Sequence, residues 1–326
     1  MWNLRILVVA FGILLSCWAV VGQEGAPGQE SGEPDPETIQ MLLEPLVEQA
    51  MSSGRQEFFD SLRDGLGAEH PVVPVVMAQV GVRLLQQGAY AEAKELFERV
   101  IESGERIWGK DHPGTLRLMN NLAQTLEAQG DLAAARELND HVLAVRRRVL
   151  GEEHPDTLTS MNNLALTLHK LGELARARQL YEELIAIREN LAGPDHRPNT
   201  YEEAVIFNNL AIVHKDAENL KGARVFSFRA LSGIEGQTQR ADVSEGVKSR
   251  FRAQYSGIYQ VAIATSLALK RQEEAFSITE RYRAQSLLSL LSDEDLASQT
   301  EIPATSKGNA RKSPAVTTPS TARSTA

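Results

Sequence analysis

Apolar residues recur along the middle of this chain at helical spacing, and the helical units themselves recur every 42 residues. Between Thr115 and Ala128, residues Leu118, Leu122 and Leu126 fall four apart and form one stripe of a helix. Gly130 breaks the pattern. From Leu132 to Leu150 a second stripe runs through Ala135, Leu138, Val142, Leu143 and Val149. The two-helix unit then repeats. Ala78-Gln79-Val80-Gly81, Asn120-Asn121-Leu122-Ala123 and Asn162-Asn163-Leu164-Ala165 share the 42-residue step, and Asn208-Asn209-Leu210-Ala211 follows after 46. Gly88, Gly130 and Gly172 keep the step, as do Ala93, Ala135 and Ala177, and Gly109, Gly151 and Gly193. A period of this size, with small and apolar residues in phase, predicts helix pairs stacked so that each buries its apolar face on its neighbours.

The small residues Ala123 and Ala135 mark where the two helices of a unit cross closely. A His-Pro step follows each second helix. Pro113 and Pro155 suit a first helical position, where the missing N–H would be unpaired anyway. Asp156 then lies in the first turn, where a carboxylate complements the helix dipole.

These residues carry a resemblance. Gly109-Lys110-Asp111-His112-Pro113 through Asn120-Asn121-Leu122-Ala123, Gly130 and Ala135, returning at Gly151-Glu152-Glu153-His154-Pro155, resemble the 42-residue tetratricopeptide repeats of kinesin light chains. The resemblance covers roughly Val73 to Gly236. It implies an all-α, right-handed superhelical solenoid of about five to six helix pairs. The fourth copy departs from the pattern: Glu218 stands where the helix-ending glycine belongs, and Arg197-Pro198-Asn199-Thr200 lengthens the preceding turn.

The flanks complete the organisation. Residues 1–22 read as a signal peptide: Arg5 and the amino terminus precede an apolar run from Ile6 to Val21, too short for a comfortable span, which needs about 20 residues. Cleavage is expected after Gly22. Two alternatives stand: Leu14-Leu15-Ser16-Cys17 resembles a lipobox that would leave a lipidated Cys17, and the segment would otherwise be an uncleaved anchor. Residues 23–36, rich in Gly, Pro and Glu, read as a disordered linker. Residues 37–72 form a degenerate first repeat or cap, with Leu42, Leu43, Leu46 and Val47 on one face. The array proper spans 73–236, and a helical pair covers 237–292. The stretch from Glu273 to Leu291 resembles the helix that leads into caspase-like CHAT protease domains, but neither His nor Cys follows it, so that activity is not carried over. Residues 293–326, rich in Ser, Thr, Pro and Ala, read as a disordered, weakly basic tail.

Composition changes little in this picture. A formal charge of −9 argues against nonspecific nucleic-acid binding. Cys17 is the single cysteine, so a chain cleaved after Gly22 has no disulfide and no thiolate nucleophile. Four of the seven histidines (His70, His112, His154, His196) fall at equivalent inter-repeat turns, and equivalent turns of a solenoid are displaced along its length. Ligands to one ion must all lie within about 2.0–2.2 Å of it. No metal, cofactor or small-molecule substrate is therefore expected, and no enzymatic activity.

Asparagine is a poor helix former, so its pairing in mid-helix calls for a reason. Counted from the buried leucine, the second of each pair (Asn121, Asn163, Asn209) points toward the neighbouring repeat and reads as structural. The first (Asn120, Asn162, Asn208) points to the concave surface lined by the first helices. That face also carries Arg117, Gln124 and Glu127, then Thr159, Leu166, His169 and Lys170, then Val205, Ile212, Lys215 and Asp216. In the repeats this chain resembles, asparagines so placed hold the backbone of an extended peptide while nearby cations hold its acidic groups. The resemblance thus implies a groove of Arg117, Asn120, Gln124, Asn162, His169, Lys170, Asn208 and Lys215, and a protein or peptide partner, acidic in character. The other readings are a groove that is merely solvated or filled by the chain's own tail or linker, and a non-catalytic accessory or truncated member of a repeat–CHAT protease family. The expected setting is periplasmic or secreted, outside a bacterial cytoplasm.

Overall fold

The computed structural model describes residues 36–52, 54–67, 69–193, 201–238 and 245–291. The signal peptide, the linker before Pro36, the tail and the lengthened turn at Arg197 to Thr200 lie outside the described residues. Twelve helices, and no strand, occur among those described. They run α1 Pro36–Ser52, α2 Arg55–Leu66, α3 Val72–Gln86, α4 Tyr90–Ile107, α5 Pro113–Gln129, α6 Leu132–Leu150, α7 Pro155–Lys170, α8 Leu174–Ala192, α9 Tyr201–Asp216, α10 Leu220–Thr238, α11 Glu245–Ala268 and α12 Gln272–Leu291. Odd-numbered helices are the first (A) member of each pair and even-numbered helices the second (B). Six pairs stack in chain order to give an all-α superhelix. No described helix is long and apolar enough to cross a membrane.

Five of the hairpins, those from α3–α4 to α11–α12, are closed by the same two hydrogen bonds. In the α5–α6 turn Gly130 takes φ 86°, its N–H reaches the Glu127 carbonyl at 3.1 Å and the Asp131 N–H reaches that of Leu126 at 2.9 Å. This is a Schellman closure, which satisfies carbonyls the helix end leaves open. The pattern returns at Gly88, Gly172, Glu218 and Lys270. Where the sequence lacks glycine the turn survives: Glu218 and Lys270 adopt φ 58° and 60°.

The next turn is held by side chains. His112 caps α5, its Nδ1 accepting from the Gly114 N–H at 3.0 Å, and His154 caps α7, accepting from Asp156 N–H at 3.1 Å. Thr115 and Thr157 hydroxyls donate back to the Gly109 and Gly151 carbonyls, both at 2.8 Å. Pro113 and Pro155 open their helices as the sequence implied.

The core follows the predicted stripes: Leu118, Leu122, Leu126, Ala135, Val142 and Leu143 are buried, as are Leu43, Leu46 and Val47 of the first pair. Val149 departs from its stripe and is 48 % exposed. It sits in the last turn of α6, beyond the reach of α7, which begins only after the Gly151–His154 turn. The apolar core is continuous through the first three pairs and again through the last three. The joint between them combines Leu143 of α6, which packs into the second core, with buried polar groups. Asn139 and Arg146 of α6 are buried against α7, Asn139 donating to Thr167 Oγ1 at 3.0 Å and Arg146 to the Asp156 carbonyl at 2.9 Å and Ser160 Oγ at 2.8 Å. Burial pushes the Arg146 guanidinium below its ordinary value, and Asp156 offsets part of that shift.

Candidate partner-binding groove

Curvature of the stack decides which face can enclose another chain. Successive A helices approach each other directly: α1 with α3, α3 with α5, α7 with α9, α9 with α11. Successive B helices are instead spanned by long side chains, as in Arg147–Glu183 at 2.7 Å, Arg224–Glu274 at 2.6 Å and Arg281–Glu235 at 3.0 Å. The stack is therefore tighter on the A side, and the A helices line its inner surface.

The residues expected there divide into three kinds. Arg117 and Gln124 of α5 are exposed, and Arg117 has no carboxylate partner among the described residues. Asn120 is only 8 % exposed, and its Oδ1 accepts from Asn163 Nδ2 at 2.8 Å. That bond joins α5 to α7, so Asn163 turns toward the neighbouring repeat as its phase implied, while Asn120 is occupied by the chain itself. Asn162 and Asn208 differ: the Oδ1 of each is buried and has no hydrogen-bond partner. A buried carbonyl without a donor is costly, about 1–3 kcal/mol, and marks a place where a donor from elsewhere is gained at little expense.

The basic groups of α7 and α9 are not free. Lys170 Nζ lies 2.6 Å from Glu127 Oε2, His169 Nε2 lies 2.8 Å from Asp216 Oδ2, and Lys215 Nζ is 3.9 Å from Asp216 Oδ1. Glu127 is nearly buried and also takes a hydrogen bond from the Thr167 hydroxyl. Thr167 has a single proton, and the Asn163 carbonyl stands 2.9 Å away as its alternative acceptor. The sequence reading missed this set, Glu127, Asp216, Thr167 and Asn139, as groups that occupy the groove residues. A signal was present: Glu127 and Lys170, and His169 and Asp216, are opposite charges set one residue beyond the repeat step. Between the charges the floor is aliphatic, with Leu166, Val205 and Ile212 half-buried.

A family model of the tetratricopeptide repeat matches residues 74–146 and 123–190. Residues 74–190 belong to the tetratricopeptide-repeat family. The 42-residue step resembles that of kinesin-light-chain repeats, and solved structures so described share the fold. A Podosopora anserina protein of nearly identical TPR-like repeats, described as a kinesin light chain, is 23 % identical with a TM-score of 0.52, over 64 % of this chain and 93 % of its own. BtubC (BKLC) from P. vanneervenii is 16 % identical with a TM-score of 0.57, over 86 % of this chain and 99 % of its own. A search of curated protein sequences gives no match. Tetratricopeptide arrays are in general binding scaffolds for proteins or peptides and in general non-catalytic.

Proposed function

We propose that this protein is an exported tetratricopeptide scaffold that holds an extended segment of a partner protein in its concave groove. The observation that carries the reading is the pair of buried, unpaired carbonyls of Asn162 and Asn208, at equivalent positions on α7 and α9. An extended backbone presents N–H donors at intervals and could supply one to each once the amide turns outward. Asn120, already bonded to Asn163, contributes to the stack rather than to the partner.

The test is affinity capture from membrane and periplasmic fractions followed by mass spectrometry, with the captured protein then titrated against variants. Asn162→Ala and Asn208→Ala should each weaken binding by about two- to tenfold, the worth of one hydrogen bond, with the helical circular dichroism retained. Unchanged affinity in the folded double variant would move the contact off the groove. Export rests on the charged start, the apolar run and the polar switch at Gln23. N-terminal sequencing of the exported protein should begin at Gln23; a start at a lipidated Cys17, or full-length protein in the cytosol, would refute it.

A further inference from the structure

The charge pattern of the groove bears on what it accepts, and it opposes the acidic partner that the cations alone would suggest. Lys170, His169 and Lys215 each face a carboxylate of the chain itself, at 2.6, 2.8 and 3.9 Å. Glu127 is fixed on both sides, by Lys170 and by the Thr167 hydroxyl, with its side chain only 9 % exposed, so it cannot swing aside without leaving a bond behind. Asp216 bonds His169 Nε2 and also lies beside Lys215 Nζ. A carboxylate arriving from a partner would feel the attraction of Lys170 and the repulsion of Glu127 from nearly the same distance. Coulomb terms of opposite sign at similar separation nearly cancel, whatever the local dielectric. What remains attractive is the aliphatic floor of Leu166, Val205 and Ile212, beside the buried, unpaired carbonyls of Asn162 and Asn208.

We propose that the groove across α7 and α9 selects an uncharged, aliphatic extended segment, and that Glu127 and Asp216 are the residues that cancel its attraction for acidic segments. This rests on the groove reading above. Specificity of this form comes from a repulsive element as much as from an attractive one. Glu127 on α5 and Asp216 on α9 lie two units apart and flank Lys170 and His169 of α7, so the screen extends along the groove.

The experiment uses the full chain and two probes. Random twelve-residue peptides displayed on phage are selected on the wild-type protein and on the folded double variant Glu127→Gln with Asp216→Asn. The wild type should enrich peptides of near-zero net charge carrying Leu, Ile or Val. The variant, with its cations released, should shift the enriched set toward Asp and Glu. In parallel, fluorescein-labelled octaglutamate should bind the variant about three- to tenfold more tightly than the wild type at low salt, the gain expected for exposed ion pairs, and the difference should vanish at high salt. Enrichment of acidic peptides on the wild type, or octaglutamate affinity that is the same in both proteins, overturns the proposal and leaves the groove intact as a binding site. Selected peptides that bind Asn162→Ala with Asn208→Ala as tightly as wild type overturn the groove reading itself, and this proposal with it.

Discussion

His112 and His154 are helix caps: each ring accepts one backbone N–H through Nδ1, which requires that nitrogen to carry no proton. Loss of a capping side chain costs about 0.5–2 kcal/mol, so His112→Ala and His154→Ala should each lower the urea midpoint by that measure, while Asn at either position should recover most of it. His214 is a different case. It is 5 % exposed, stacked on Phe226 at 5.2 Å, and its Nδ1 lies 3.1 Å from the Asn219 amide nitrogen, whose Oδ1 in turn accepts from the Gly222 N–H. From α8, Glu182 and Arg178 face it, the first favouring the charged ring and the second opposing it. Burial dominates and holds its pKa below the ordinary 6.5, and burial does the same to His70. With the folded value below the unfolded one, the unfolded chain binds more protons as the solution is acidified. Stability is therefore complete above about pH 6.5 and declines as pH falls through it. A proton on His214 Nδ1 would also confront the Asn219 amide and disrupt the start of α10. Urea midpoints should fall between about pH 7.5 and pH 5.5, and His214→Gln should flatten that slope; an equally steep slope in the variant would refute the assignment.

At the scale of the element, one hairpin closure serves five turns with three residue types. Glycine enters the left-handed region without strain at Gly88, Gly130 and Gly172, whereas Glu218 and Lys270 reach φ 58° and 60° with a Cβ in place. A left-handed non-glycine residue costs about 1–2 kcal/mol, part of which glycine returns as chain entropy. Glu218→Gly and Lys270→Gly should each raise stability by about 0.5–1 kcal/mol, read as a shift in thermal or urea midpoint with the circular dichroism spectrum unchanged. A loss of stability would mean that the carboxylate or ammonium at the turn makes a contact worth more than the strain.

Across the whole molecule, two runs of apolar core meet between the third and fourth pairs, where Leu143 is accompanied by buried polar groups. There Arg146 donates to the Asp156 carbonyl and Ser160. Arrays of this kind hold together through nearest-neighbour interfaces, so weakening one interface uncouples the two sides. Arg146→Leu leaves Ser160 Oγ without its donor, while the Asp156 carbonyl keeps the Ser160 hydroxyl, and should cost about 1–3 kcal/mol. Trp108 sits in the first half, so its fluorescence in this variant should report a transition displaced from the one seen by circular dichroism. Coincident transitions would show that the apolar contacts of Leu143 suffice to keep the halves coupled.

The sequence by itself determined the helix pairs, their phase and the family, because the small and apolar residues recur at a step that only one stacking satisfies. It determined the caps too, through Pro113 and Pro155, although His112 and His154 read as turn residues until their rings were seen to accept the N–H groups of Gly114 and Asp156. Only the tertiary structure decided the character of the groove. Asn120, Asn162 and Asn208 share one phase in the sequence, yet one is bonded to Asn163 and two have buried carbonyls without a donor. Lys170 reads as a free cation along the chain and is neutralised by Glu127, 43 residues before it. Periodicity fixes which face a side chain occupies; what it meets there depends on the residue contributed by the next repeat, which lies near in space and far along the chain.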